Sequence, residues 1–165
     1  MLSVDHYELI RRKHFVDGLS VRAISRQCGL DLLQFHGDES PQYLSSFDVG
    51  KVIRAVRVRG KDSLSAVKEY RPAFFLFDTL RPDAFGGTGE VFDWAVLESL
   101  GDLKTPFFVS GGLTPENVGI LIERLRPFGV DVSSGVEKAP GKKDHQKVKE
   151  FINKVKQVEG RGINP

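Results

Sequence analysis

Cysteine is nearly missing from this sequence, and long apolar runs are missing altogether. The only cysteine, Cys28, excludes an intrachain disulfide and a metal site built from cysteines. No apolar run approaches the ~18–20 residues that a membrane-spanning helix needs. The first residues are polar and charged, which gives no apolar core of signal-peptide length. We therefore expect a soluble, cytoplasmic protein without a membrane partner.

A strong excess of charge of one sign is also lacking. The formal net charge is +2, and it lies entirely in residues 1–29, where five basic side chains accompany three acidic ones. Nucleic-acid binding by the whole chain is therefore not expected, although Arg11, Arg12 and Lys13 leave weak phosphate contacts open. No second histidine stands at a metal-ligand spacing from His36, so we expect no metal site.

Short apolar runs recur along the chain and alternate with segments that carry helix signals. The runs are nearly continuous rather than alternating, as in parallel strands buried on both faces. They occupy residues 32–35, 52–56, 74–77, 106–109 and 129–132. Such βα repetition predicts an α/β fold.

Five helices are predicted between and after these strands. The first begins at Ser40 and Pro41 and runs through Phe47, and the second carries Leu64 and Val67 toward Tyr70. The others span Phe92 to Leu100, Thr114 to Leu125, and a last helix opened by Asp144, with an apolar face of Val148, Phe151, Ile152 and Val155. The opening of the chain differs: helices are predicted from Asp5 to Phe15 and from Ser20 to Cys28, with no strand.

Glycine clusters follow the last two predicted strands. They are residues 110–113 (Ser-Gly-Gly-Leu) and residues 133–135 (Ser-Ser-Gly). Glycine allows the backbone to approach an anion closely, and in βα-barrels a phosphate site is often built from the loops after the last two strands. A single glycine cluster is usually only a turn, whereas two in these positions favour phosphate binding.

Two titratable residues stand at predicted strand ends. Asp78 ends the third run, where a partly desolvated carboxyl group can serve as a general acid; a helix cap or a surface ion pair is the alternative. His36 ends the first run and can donate to a substrate or be held structurally by hydrogen bonds. The glycine-rich residues 85–89 predict either a substrate-contacting loop or a flexible connector.

Four motifs resemble those of one enzyme family, in the same order along the chain and with the same spacing. They are LDLLQFHGDE at residues 30–39, FGGTG at 85–89 followed by FDW at 92–94, SGGLTPENV at 110–118, and VDVSSGVE at 130–137 followed by PGKKD at 140–144. Together they resemble strands four, six, seven and eight of the phosphoribosylanthranilate isomerases of tryptophan biosynthesis.

The resemblance implies a partial (β/α)8 barrel that retains strands four to eight, preceded by a helical segment. It implies an Amadori rearrangement of N-(5-phosphoribosyl)anthranilate to 1-(2-carboxyphenylamino)-1-deoxyribulose 5-phosphate, without a cofactor. Asp78 would be the general acid. The substrate and its phosphate would be bound at His36, Gly111, Gly112, Asp131, Ser133, Ser134 and Gly135.

The sequence departs from the family at its beginning. The family's catalytic base is a cysteine in a first strand resembling KICGIT, which this sequence does not contain. Cys28 precedes the first retained strand and is a poor substitute. We therefore expect impaired turnover. The alternative is a non-catalytic phosphosugar-binding or DNA-associated remnant of a gene rearrangement.

Residues 1–29 resemble the first two helices of an insertion-sequence transposase helix-turn-helix, although residues 20–29 fit the isomerase's own third helix equally well. We expect three parts: a helical segment at 1–29 in place of the first barrel strands, a truncated barrel at 30–158, and a flexible tail at 159–165. Five units of a closed barrel leave two strand edges exposed, so we expect marginal folding, self-association that covers the edges, or coverage of the gap by the N-terminal helices.

Overall fold

The computed structural model describes residues 16–78, 94–101 and 103–160. The predicted N-terminal helix at residues 5–15, the glycine-rich residues 85–89, Arg11, Arg12 and Lys13, and most of the tail lie outside these ranges. The division at residues 29 and 158 stays a prediction.

A five-stranded parallel sheet forms the centre of the molecule, with its strands in chain order. Each of the five predicted strands is confirmed. They are β1 (Leu33–Phe35), β2 (Val52–Arg57), β3 (Phe74–Asp78), β4 (Phe107–Ser110) and β5 (Gly129–Val130). Because neighbouring strands are parallel, their carboxyl ends lie along one edge of the sheet.

Helices occupy the connections, as the βα pattern predicts. They are α1 (Val21–Cys28), α2 (Pro41–Leu44), α3 (Ala95–Glu98), α4 (Val118–Leu125) and α5 (His145–Glu159), with 3₁₀ turns at Val49–Lys51, Lys61–Glu69 and Ser134–Val136. Of the helices in the described ranges, none has the length and apolar character to cross a membrane.

Three predicted helix starts are confirmed by side-chain caps. The Ser20 hydroxyl accepts from the Ala23 amide at 3.2 Å, and the Ser40 hydroxyl accepts from the Tyr43 amide at 3.2 Å. Asp144 Oδ1 accepts from the backbone N–H groups two and three residues ahead, at 2.9 and 3.2 Å. Each cap satisfies amide groups that have no partner within the helix.

Two predicted helices take a different form. The helix from Ser40 stops at Leu44 rather than Phe47, because the Ser45 and Ser46 hydroxyls donate to carbonyls of the turn, at 2.8 and 2.6 Å. Residues 61–69 form a 3₁₀ helix, in which residues three apart lie in line. Leu64 and Val67 have this spacing, and both are buried.

The fourth and fifth predicted helices are present, but the start of the fourth and the buried face of the fifth differ from the prediction. Regular α4 begins at Val118, four residues after the predicted cap at Thr114, because the side chain of Asn117 engages the preceding loop. The apolar face predicted for α5 is wrong at one position. Ile152 is 46% exposed, whereas Phe151 and Val158 are buried, because adjacent helix positions point about 100° apart.

A small hairpin not anticipated from the sequence follows β5. Strands β6 (Glu137–Ala139) and β7 (Lys142–Lys143) pair antiparallel around a turn in which Gly141 has a φ of 73°. The register places Glu137 opposite Lys143. Each strand is too short to show an alternating apolar pattern, which explains why the sequence gives no strand signal here.

The main core lies between the sheet and its helices. Phe75 and Phe77 from β3, Val109 from β4, and Val118 and Leu121 from α4 are at most 1% exposed. Phe151 and Val158 of α5 pack into the same cluster. Because side chains alternate along a strand, the residues between them point to the opposite face of the sheet.

That opposite face carries an aromatic cluster near the amino ends of the strands. The rings of Phe74, Phe108 and Phe128 lie 5.1 to 5.5 Å apart between centroids. Phe128 remains 66% exposed. In a closed barrel this face would point inward, so its apolar character is that of a barrel interior.

Replacing Leu121 by alanine tests whether the α4–sheet contact stabilises the fold. Leu121 is fully buried, so Leu121→Ala should lower the free energy of unfolding by roughly 2–5 kcal/mol, as for other large-to-small core changes. Its neighbour Ile120 is 55% exposed, and Ile120→Ala should change stability by less than about 0.5 kcal/mol. Urea unfolding of both variants measures this; equal effects would contradict the packing described.

Candidate active site

Asp78 lies at the carboxyl end of the central strand β3, as predicted. In the sheet register it stands between Arg57 of β2 and Ser110 of β4. Its side chain is 17% exposed. The alternation that buries Phe75 and Phe77 against the helices directs Asp78 to the other face of the sheet, where the strand ends open toward solvent.

His36 is brought beside Asp78 by the pairing of the first three strands. Its Nε2 lies 3.4 Å from Asp78 Oδ2, which is an ion-pair distance when the imidazole is protonated. The two atoms are not aligned for a hydrogen bond, and among the described residues the buried Nε2 has no other hydrogen-bond partner. The His36 side chain as a whole is 38% exposed, so part of the imidazole is open to solvent beside Asp78.

The loop that carries His36 is held by Arg54, which the sequence analysis did not single out. Arg54 donates to the Gly37 carbonyl at 2.9 Å and to Glu39 Oε2 at 2.8 Å. Its guanidinium lies 5.0 Å from the centre of the Tyr70 ring. A charged residue inside an apolar run was the available signal, because a buried arginine requires partners.

The glycine loop after β4 is shaped by positive φ angles and by one asparagine. Gly111 and Gly112 have φ values of 87° and 65°, a region that favours glycine. The Asn117 amide donates to the Gly112 carbonyl at 2.9 Å, and its oxygen accepts from the Thr114 amide at 2.9 Å. The loop is thereby fixed ahead of α4.

The loop after β5 lies directly against the loop after β4. A Cβ atom on Gly135 would stand 1.7 Å from the Leu113 carbonyl oxygen, so only glycine allows this approach. Ser133 and Ser134 are exposed beside it. The two predicted phosphate-binding clusters therefore form one surface.

Asp131 leads into this surface from β5. Its amide donates to the Val109 carbonyl at 2.9 Å, which continues the β4–β5 pairing, and its side chain is exposed. All the predicted site residues thus lie along the same edge of the sheet. Those from β1 and β3 meet directly, and those after β4 and β5 form the second group.

Lys143 and Glu137 of the hairpin adjoin this second group. Lys143 Nζ donates to the Ser133 carbonyl and to Glu137 Oε1, both at 2.8 Å. The hydrogen bond from Lys143, followed by one from the Gly141 amide, holds the pKa of Glu137 below its usual value. Glu137 is therefore ionised at neutral pH.

In the ranges that the structure describes, no three histidine, cysteine, aspartate or glutamate side chains cluster in a way that could hold a metal ion. Cys28 closes α1, ahead of β1, and is therefore separated along the chain from the carboxyl ends of the strands.

Parallel strands with connecting helices, a carboxylate at a strand end, and paired glycine loops after the last two strands are features of the βα-barrel class. A family model described as N-(5'-phosphoribosyl)anthranilate (PRA) isomerase matches residues 17–154. The chain belongs to this family of isomerases in tryptophan biosynthesis.

Individual relatives agree with this assignment. The chain is 47% identical over 138 residues to the N-(5'-phosphoribosyl)anthranilate isomerase of Syntrophomonas wolfei, covering 84% of this chain and 67% of that protein. The crystal structure of the Thermotoga maritima phosphoribosyl anthranilate isomerase is 37% identical, with a TM-score of 0.69 over 82% of this chain and 66% of that one.

A further solved relative contains a ligand. It is a phosphoribosyl anthranilate isomerase in complex with reduced 1-(o-carboxyphenylamino)-1-deoxyribulose 5-phosphate, with 34% identity, a TM-score of 0.65, and coverage of 82% of this chain and 64% of that one. The chain thus spans about two thirds of the length of its relatives. The match begins at residue 17 and includes α1, which favours the isomerase interpretation of residues 20–29.

Gly135→Ala tests the contact between the two glycine loops. The added methyl group would collide with the Leu113 carbonyl, so this variant should separate the loops and lower both stability and phosphate binding. Gly119→Ala is the matched control: its Cβ would meet Val158 at an ordinary 3.8 Å, inside α4. The control should stabilise the chain by up to about 1 kcal/mol.

Thermal unfolding and phosphate titration measure both variants. If Gly135→Ala is as stable as the unaltered chain and binds phosphate equally, the close approach of the two loops is wrong.

Proposed function

We propose that this chain binds N-(5-phosphoribosyl)anthranilate at the carboxyl ends of its strands and carries the acid half of the isomerase reaction. The observation that carries the proposal is the placement of Asp78, little exposed and beside His36, on the same sheet edge as the glycine loops of residues 110–113 and 133–135. Membership in the isomerase family supports it.

In the proposed reaction, Asp78 in its protonated form donates to the ring oxygen of the ribose. The ring opens as the nitrogen lone pair forms a Schiff base with C1. A base then removes the C2 proton, and the resulting enol-amine rearranges to the 1-amino-2-ketose. The position of Asp78 suits the first step, because its side chain is only 17% exposed and lies at the strand ends where we place the ribose.

Phosphate binding is proposed for the backbone around Gly111, Gly112, Ser134 and Gly135. Backbone N–H groups can approach a phosphate oxygen where side chains do not intervene, and the glycine loops supply such a surface. We place Asp131 near the hydroxyl groups of the sugar and His36 near the ring-opening end, beside Asp78.

The chain has no cysteine at the carboxyl ends of its strands that could act as the base. The family's cysteine-bearing first-strand motif does not occur in the sequence, and Cys28 stands in α1 ahead of β1. We therefore propose that the chain by itself binds substrate and turns it over slowly. A positioned general base typically accelerates a reaction by about 10²–10⁴-fold. We therefore expect kcat/KM of this chain to be lower by a factor of that order than that of an isomerase with the base in place.

A binding experiment and a growth experiment together test this proposal. The chain should bind reduced 1-(o-carboxyphenylamino)-1-deoxyribulose 5-phosphate, and isosteric Asp78→Asn should retain binding because the phosphate surface is unchanged. In a tryptophan auxotroph lacking the isomerase, this chain should not restore full growth, whereas the Syntrophomonas wolfei relative should.

The outcomes separate the two parts of the proposal. Full growth with this chain alone would contradict the slow turnover. Failure to bind the analogue would contradict the site itself. Binding with no measurable turnover would favour the phosphosugar-binding alternative. A cytoplasmic location stays a prediction. DNA association also stays a prediction, because the basic residues considered for it, Arg11, Arg12 and Lys13, lie outside the described ranges.

We also propose that the chain self-associates through its sheet. Among the described strands, β1 and β5 each pair with one neighbour, which leaves an edge on either side. The nearby Phe128 ring is 66% exposed. Covering the edges and the aromatic cluster in an assembly would remove both from water.

Sedimentation velocity tests the assembly. The unaltered chain should sediment as a concentration-dependent oligomer, and Phe128→Ser should shift it toward the monomer. Ile120→Ser removes a similarly exposed apolar side chain from α4 and should leave the distribution unchanged. A compact monomer at all concentrations, with strand-edge amides protected from hydrogen exchange, would disprove self-association.

A further inference from the structure

The hairpin after β5 places a lysine side chain in contact with residues 133–135, the second loop proposed to bind phosphate. Lys143 Nζ donates to the Ser133 carbonyl at 2.8 Å and contacts the Ser133 hydroxyl at 3.3 Å. It also donates to Glu137 Oε1 at 2.8 Å. An ammonium group has three N–H donors, and these three contacts account for all of them.

Glu137 holds the lysine in this position. The two residues face each other across the hairpin, and Glu137 is only 15% exposed. The second carboxylate oxygen of Glu137 accepts from the Gly141 amide at 3.1 Å, which ties the carboxylate to the hairpin turn. The Asp144 amide donates to the Val136 carbonyl at 2.8 Å, which closes the open end of the hairpin next to the loop.

The contact with Ser133 determines the direction of the next amide. A trans peptide is planar, so its C=O and the following N–H point in opposite directions. Because Lys143 lies on the carbonyl side of the Ser133–Ser134 peptide, the Ser134 N–H points away from the lysine. Ser133 has φ −121° and ψ −87°, outside the helical and extended regions, so this orientation is not the default of the local chain.

We propose that Lys143, held by Glu137, is a positioning residue that sets the Ser133–Ser134 peptide so that the Ser134 N–H faces the substrate phosphate. This inference rests on the proposed phosphate site. The lysine acts through the backbone rather than as a phosphate ligand, because its three donors are already used. Its positive charge also polarises the Ser133 carbonyl and thereby strengthens the Ser134 N–H as a donor.

Calorimetric titration with inorganic phosphate tests this in the full chain. Lys143→Met should lower the affinity at least about tenfold, the factor that corresponds to losing a hydrogen bond to a charged group. Lys143→Arg should restore part of it, since a guanidinium can also donate to the carbonyl. The matched control is Lys142→Met, which removes the same charge from the neighbouring exposed residue and should cost less than about threefold at 0.15 M salt.

Glu137→Gln separates positioning from simple attraction of charge. This change removes a negative charge near the site, which by charge alone would strengthen anion binding. Weaker phosphate binding in this variant therefore supports the positioning role. Tighter binding would overturn it and indicate direct attraction by a released Lys143.

The Ser134 amide resonance of the unliganded chain gives a readout that does not depend on phosphate. It should shift in Lys143→Met and Glu137→Gln and stay in place in Lys142→Met. Unchanged Ser134 resonance and phosphate affinity in Lys143→Met overturn the inference while leaving the proposed function intact. If the unaltered chain does not bind phosphate, the proposed phosphate site is overturned. The proposal that Lys143 positions the Ser134 N–H toward phosphate is then overturned as well.

Should Lys143→Met not fold, as judged by circular dichroism, Glu137→Gln and Lys143→Arg decide the question by the same two measurements. Loss of phosphate affinity in Glu137→Gln, with the fold retained, is the supporting result.

Discussion

The close approach of Gly135 to the Leu113 carbonyl is the constraint on which the proposed phosphate site depends. It brings the loops after β4 and β5 into backbone contact, which no side chain at residue 135 would permit. From there the connections extend in both directions. Asn117 fixes the first loop ahead of α4, and Lys143 fixes the second loop to the hairpin. Two loops that are separate in the chain thus form one surface, in contact at Gly135 and Leu113.

The acid side of the site depends on a different physical rule, the alternation of side chains along a strand. Phe75 and Phe77 are buried against the helices, so Asp78, the next residue of the strand, points to the opposite face. There it lies next to His36. Arg54 on β2 points to the helix side and binds Glu39 there. The same alternation therefore places the candidate acid Asp78 and the loop-supporting Arg54 on opposite faces of the sheet.

Local chemistry explains which elements were predictable. Ser20, Ser40 and Asp144 cap helices through their own side chains, so the starts of those helices follow from the sequence nearby. The strands were predictable because each contains a nearly continuous apolar run. Other features required distant partners. The later start of α4 depends on where the Asn117 side chain finds its acceptor, and the hairpin depends on the pairing of Glu137 with Lys143.

The sequence alone determined the family, the βα order and the five strands, and it supplied the candidate site residues, because motifs, glycine spacing and apolar runs are properties of neighbouring positions. Tertiary structure decided which of those residues meet. The 3.4 Å approach of His36 to Asp78 crosses 42 positions of the chain, and it exists because β1, β2 and β3 pair in parallel with aligned carboxyl ends. The support from Arg54 and Lys143 was likewise settled only by folding, since a hydrogen bond to a backbone carbonyl leaves no mark on the sequence at the acceptor.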